Sequence, residues 1–116
     1  MFRQDPLIVR LRKIAADVGR IPDLVRDPDR RHTVETILDE TRGPIEWTLP
    51  EALAIPRAGV ELANLMRALT SWLGILREER LTMNLQVLLE DEMVAWSDRI
   101  QGLADAPRLT ESVVRR

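Results

Sequence analysis

The fifty residues from Arg57 to Ala106 contain no proline, yet their apolar side chains change sides partway along. Glycine occurs there only at Gly59, Gly74 and Gly102, and the stretch is rich in Leu, Glu, Arg and Met, all strong helix formers. The helical wheel is advanced by about 100° per residue from Val60. Leu65, Met66, Leu69, Trp72, Leu73 and Leu76 then fall between about 120° and 240°. Leu85, Leu89, Met93, Trp96, Ile100 and Leu103 fall between about 340° and 60°. The apolar face therefore rotates by roughly half a turn, and a straight helix would bury opposite sides at its two ends. Two arrangements satisfy this constraint. The chain turns near Arg77–Thr82, with Thr82 capping the second helix of an antiparallel hairpin. Alternatively, one long helix packs half on its own domain and half on a second chain. The breaker-free run Arg77-Glu78-Glu79-Arg80 favours continuity, and the phase reversal favours the turn, which is the expected arrangement.

The first half is punctuated more openly. Asp5-Pro6 reads as a helix cap followed by proline in the first turn. Leu7, Leu11, Ile14, Ala15 and Val18 then form an amphipathic stripe that ends at Gly19, before Pro22. Residues 21–25 read as a connector or a single helical turn. Asp27-Pro28 repeats the opening signal, and Val34, Ile37, Leu38 and Thr41 predict a helix over 28–42, stopped by Gly43-Pro44. Residues 44–56 hold three prolines and read as an apolar connector with a short helix at 50–54. Its residues Trp47, Leu49, Leu53 and Ile55 are expected to pack on the core. No segment alternates with the period of two that marks a strand. The predicted fold is all-α: a bundle of three to four main helices, with the C-terminal half a long hairpin or one long helix. Residues 1–106 form a single domain, and the polar segment 107–116 reads as a loose tail.

Composition narrows the function classes. The chain has 116 residues and no cysteine, which removes disulfides, thiolate metal sites and cysteine nucleophiles. With one histidine, His32, no multi-histidine metal centre is possible within one chain. Arg10, Arg12, Lys13 and Asp17 interrupt the N-terminal apolar run, so it does not read as a secretory signal. No run approaches the roughly 20 apolar residues of a membrane span, and the expected location is the cytoplasm. Charge is unevenly placed. Residues 1–31 carry 8 basic and 5 acidic groups, residues 32–106 carry 6 and 13, and residues 107–116 carry 3 and 1.

Several constellations bear on chemistry. His32, Glu35 and Asp39 share one face of the second predicted helix at a spacing a divalent metal can use. That face points about 140° away from the apolar stripe, so it reads as a solvated surface and no metal is expected. Glu78-Glu79 and Glu90-Asp91-Glu92 are adjacent clusters, not the i, i+3 carboxylate pairs that gather Mg²⁺ on facing helices. The five glycines are isolated, so no phosphate-cradling loop is present, and Ser71, Ser97 and Ser112 have no motif around them. Arg10, Arg12, Lys13, Arg20, Arg26, Arg30 and Arg31 offer a candidate nucleic-acid face, interleaved with Asp17, Asp23, Asp27 and Asp29.

Arg26 precedes His32 with five residues between them, the first being the polar Asp27. This resembles the Arg-x4–6-His motif of HEPN-type ribonucleases, which are compact all-helical proteins that often act as dimers. The resemblance implies an RNA-cleaving role for Arg26 and His32, although that family places the motif late in its bundle and this chain carries it early. The primary reading is different: a non-catalytic interaction or scaffold module. It would be a homo-oligomer, most simply a homodimer, or a small subunit of a larger assembly, with no cofactor. Its expected interface residues are Trp72, Leu76, Leu85, Leu89, Met93, Trp96 and Ile100. Nucleic-acid binding through the N-terminal arginines is the first alternative, and the HEPN-like ribonuclease is the second.

Overall fold

The structure, a computed structural model, describes residues 6–105. The expectations that Asp5 caps the first helix and that residues 107–116 form a tail lie outside the described residues. The elements are α1 (Pro6–Gly19), α2 (Ile21–Val25), a 3₁₀ turn (Pro28–Arg30), α3 (Arg31–Ala52), α4 (Pro56–Arg77) and α5 (Met83–Asp105). No strand occurs among the described residues. The fold is an all-α bundle of four long helices.

Pairs along the seams give the directions. Arg10 near the start of α1 meets Glu51 near the end of α3 at 2.6 Å, so these helices are antiparallel. Arg77 at the end of α4 meets Glu35 near the start of α3 at 3.3 Å. Ser97 Oγ on α5 donates to the Ala15 carbonyl of α1 at 2.9 Å, and Arg12 meets Asp105 at 3.3 Å. The helices thus alternate up and down, in the ring order α1, α3, α4, α5. Contact is most extensive between α1 and α5 and between α3 and α4, and least between α4 and α5. The short α2 packs on α5 and α3 beyond the end of α1. Leu11, Val18, Val25, Val34, Leu38, Ile45, Leu62, Leu65, Leu69, Leu89, Met93 and Ile100 are fully buried in one shared core. No helix among the described residues is long and apolar enough to cross a membrane.

The reversal expected near Arg77–Thr82 is present. α4 ends in a Schellman-type cap: the Arg80 amide donates to the Ile75 carbonyl and the Glu79 amide to the Leu76 carbonyl. The left-handed position that glycine normally fills is held by Glu79, at φ 54°. Thr82 then caps α5, its hydroxyl accepting from the Leu85 amide at 3.2 Å.

The expected stop at Gly43-Pro44 does not occur. α3 runs through Gly43, Pro44 and Pro50 to Ala52, absorbing the short helix expected at 50–54. An interior proline costs about 3 kcal/mol through its missing N–H and its clash with the preceding turn. Here the buried stripe Val34, Ile37, Leu38, Thr41 continues in register through Ile45, Thr48 and Ala52. Ending the helix at residue 42 would withdraw that second half from α1 and α4. Burying a single Ile is worth about 1.5–3 kcal/mol, so continued packing offsets much of the proline penalty. The connector's apolar residues also divide differently from expectation. Leu49 and Ile55 pack against the core, whereas Trp47 is 79% exposed and Leu53 63% exposed.

Two glycines permit close approach. A Cβ on Gly19 would lie 2.9 Å from Ser97 Oγ, and one on Gly59 would lie 3.0 Å from Leu53 Cα. Gly19 closes α1 without a positive φ, and its missing side chain leaves room for Ser97 of α5.

Two stability predictions follow from this packing. Trp72 and Trp96 are both buried, so truncating either to Ala should destabilise by about 3–5 kcal/mol in urea unfolding. Unchanged midpoints in both variants would show that the helix faces are misassigned. Glu79→Gly should stabilise by roughly 1 kcal/mol, because a left-handed conformation costs a residue with a Cβ about 1–2 kcal/mol. A clear loss of stability would contradict the cap described above.

Candidate interaction surfaces

The residues expected at an interface lie mostly inside one chain. Trp72, Leu76, Leu89, Met93, Trp96 and Ile100 are buried in the core of the single bundle, and Leu85 is partly buried against it. Trp72 and Trp96 sit along the sparsely packed α4–α5 seam and use their polar edge and ring face there. Trp72 Nε1 donates to Glu92 at 2.7 Å, and the Arg99 guanidinium lies 4.9 Å above the Trp96 ring. Arg99 also approaches Glu61 at 3.9 Å, a carboxylate oxygen buried without a hydrogen bond.

The exposed large apolar side chains are different ones: Val9, Trp47, Leu53, Val60, Met83, Val87, Leu88 and Val94. Four of them lie on α5, and three of these form a row. Met83, Val87 and Val94 fall within about 40° of each other on the wheel, some 130° from the buried stripe. The row borders the flank of α5 that meets α1 and α2 through Ser97, Glu90 and Gln86. Beside it stand Asp91 and Asp98, which make no ion pair within the described chain. The adjoining outer face of α1 carries Val9, Arg12, Lys13 and Ala16, with Arg20 immediately after the helix. These residues are masked in the sequence by the stronger apolar stripe on the opposite side of α5. The i, i+4, i+11 spacing of Met83, Val87 and Val94 was readable as a second, weaker row.

Most of the N-terminal cations are engaged by the fold. Arg10 pairs with Glu51, Arg12 with Asp105, Lys13 with Asp17 and Arg30 with Asp27, while Arg31 donates to Gln86. Arg26 holds Glu90 at 2.5 Å and Asp23 at 3.8 Å. The hydrogen bond and charge of Glu90 raise the Arg26 guanidinium above its ordinary pKa. His32 lines a cleft of about 390 Å³ with Arg31, Glu35, Leu76, Glu79 and Leu81. Arg26 is not part of that lining, so the pair carrying the ribonuclease resemblance does not share this cleft.

His32, Glu35 and Asp39 are placed on one side of α3, as the spacing implied, but the two carboxylates do not face open solvent alone. Arg77 reaches both, at 3.3 Å to Glu35 and 3.6 Å to Asp39, and Arg42 holds Asp39 at 2.7 Å. Each half-buried carboxylate thus already has a cationic partner. No group of three potential metal ligands is assembled among the described residues. Zn²⁺ or Mn²⁺ should therefore leave the melting temperature unchanged, since only a ligand that binds the folded chain raises it. A rise abolished by Asp39→Ala would mean that a metal displaces Arg77 from this face.

In comparisons with known proteins, no family model matches the chain, and neither the curated proteins nor the solved structures give a match.

Proposed function

We propose that this chain is a non-catalytic helical interaction module that pairs with a second copy of itself across the outer faces of α1 and α5. The observation that carries this reading is the row Met83, Val87 and Val94, exposed at 74%, 52% and 50% on a helix whose other side is fully buried. Exposed apolar side chains gathered in one row on a packed helix, rather than scattered singly, support a contact surface.

The second copy is favoured over an unrelated partner by charge. Asp91 and Asp98 flank the row on α5, whereas the neighbouring α1 side carries Arg20, which makes no ion pair within the described chain, beside Arg12 and Lys13, which are held by Asp105 and Asp17. A twofold axis parallel to the helices sets α5 of one protomer against α1 of the other. Each apolar row then lies along Val9 and Ala16, and each acidic flank meets a basic one. α5 is about 34 Å long and the 14-residue α1 about 21 Å, each about 10 Å wide, giving a footprint on the order of 550 Å². That is below the ~800 Å² per partner of a standard interface and belongs with the smaller, reversible ones.

Light scattering at micromolar concentration tests the reading. The expected mass is twice 13.3 kDa. Val87→Glu combined with Val94→Glu should yield a folded monomer, since both side chains lie outside the core. Leu89→Glu would not serve, because Leu89 is fully buried and its replacement would unfold the bundle. A native mass of 13.3 kDa would overturn the proposal.

A further inference from the structure

The cleft lined by His32 forms where three pieces of chain meet: the first turns of α3, the last turn of α4 and the reversal that follows it. Its volume of about 390 Å³ falls within the ~300–1,000 Å³ of small-molecule sites. The lining is of three kinds. Arg31 supplies a guanidinium, Glu35 and Glu79 supply carboxylates, and Leu76 and Leu81 supply apolar walls. These charges are not equally engaged. Glu35 is held by Arg77 at 3.3 Å. Arg31 makes a single long hydrogen bond, from Nη2 to Gln86 Oε1 at 3.4 Å, and its Nε is buried with no acceptor. A guanidinium with unfilled donors below the surface is unfavourable unless something supplies an acceptor. Glu79 makes no ion pair among the described residues, and its neighbour Arg80 is taken by Glu78 at 2.6 Å. Arg31 and Glu79 thus line one cleft without closing on each other.

The backbone at Glu79 is a separate observation. It holds φ 54°, a left-handed conformation that glycine adopts without the steric cost of a Cβ. Glycine there would relieve the strain but delete a carboxylate from the cleft. Strain kept at a residue whose side chain lines a cavity is the pattern found at ligand sites.

We infer that this cleft binds a free apolar α-amino acid. An anion alone would leave Glu79 uncompensated, and a cation alone would leave the Arg31 donors unfilled. A zwitterion answers both. Its carboxylate accepts from the Arg31 guanidinium, its ammonium donates to Glu79, and its side chain lies against Leu76 and Leu81. None of the lining residues belongs to the row Met83, Val87 and Val94, so the site does not depend on pairing between two copies of the chain.

Isothermal titration calorimetry of the full chain with L-leucine, L-isoleucine, L-valine and L-methionine tests this. Saturable binding of one molecule per chain is expected for at least one of them. Its amide, which lacks the carboxylate, and its deamino analogue, which lacks the ammonium, should each bind about tenfold more weakly or worse, as should glycine. Arg31→Gln and Glu79→Gln should weaken binding by a similar factor. Both side chains lie outside the core, and unchanged circular dichroism verifies the fold. The same Kd is expected in the Val87→Glu, Val94→Glu chain, and a lost signal there would overturn a site contained in one copy. No saturable binding by any of the four amino acids would overturn the proposal. Equal affinity for the deamino analogue would replace the zwitterion with a plain anion, and equal affinity for the amide would replace it with a cation. Binding that survives both substitutions would place the ligand elsewhere on the bundle.

Discussion

The architecture depends on one requirement: both apolar stripes of residues 57–104 must reach the same core although they point in opposite directions along a continuous helix. The five residues Glu78–Thr82 meet it by reversing the chain. Once α5 runs antiparallel to α4, Leu65, Leu69 and Leu73 face the same interior as Leu89, Met93 and Ile100. The reversal does not zip the two helices together. α4 turns its stripe chiefly toward α3, and α5 turns its own toward α1 and α2. The α4–α5 seam is held by polar contacts, Trp72 of α4 with Glu92 of α5 and Arg99 of α5 beside Glu61 of α4.

The fold class and this reversal were legible because burial periodicity is a local property of a long segment. Thr82 as a cap was legible for the same reason, since a hydroxyl three residues before a helical amide needs no distant partner. The C-terminal limit of α3 was not. Gly43-Pro44 is a strong local stop, and what overrides it is the continuation of the stripe through Ile45, Thr48 and Ala52 onto α1 and α4. That advantage exists only after three helices have met. The spacing 34, 37, 38, 41, 45, 48, 52 was present in the chain, but its value could be weighed against the prolines only with the neighbours in place. Glu79 in a left-handed cap was illegible in the same way, because glycine is the residue that marks such a position and Glu79 carries no such local signal.

The surfaces were less legible than the core. The wheel located the buried stripes correctly but could not say whether one chain or two would cover them. With α1 and α2 laid over α5, the strongest apolar positions are used internally, and the weaker outer row of Met83, Val87 and Val94 remains. The basic N-terminal region likewise looked available in sequence. Its carboxylate partners Glu51, Glu90 and Asp105 lie more than forty residues away and are brought in by the helix order. Trp47 was misplaced because a connector must tuck its apolar side chains inward, whereas a helix fixes them by angle, and residue 47 falls opposite the stripe.

The pairing of α1 with α5 has a consequence for the order of events during synthesis. α1 is made first, and the helix it contacts most extensively is the last of the bundle. Chains emerge from the ribosome at about 5–20 residues per second. Throughout the production of α2, α3 and α4, Leu7, Leu11 and Ile14 therefore lack one side of their cover. The α3–α4 pair is close in sequence and can zip early, but the ring closes only when residues far apart in the chain meet. A nascent chain ending within α5 would display an open apolar trough between α1 and α4. Its burial is thus a late step, and the period before it is when such a chain is most exposed to chaperones and to other nascent copies.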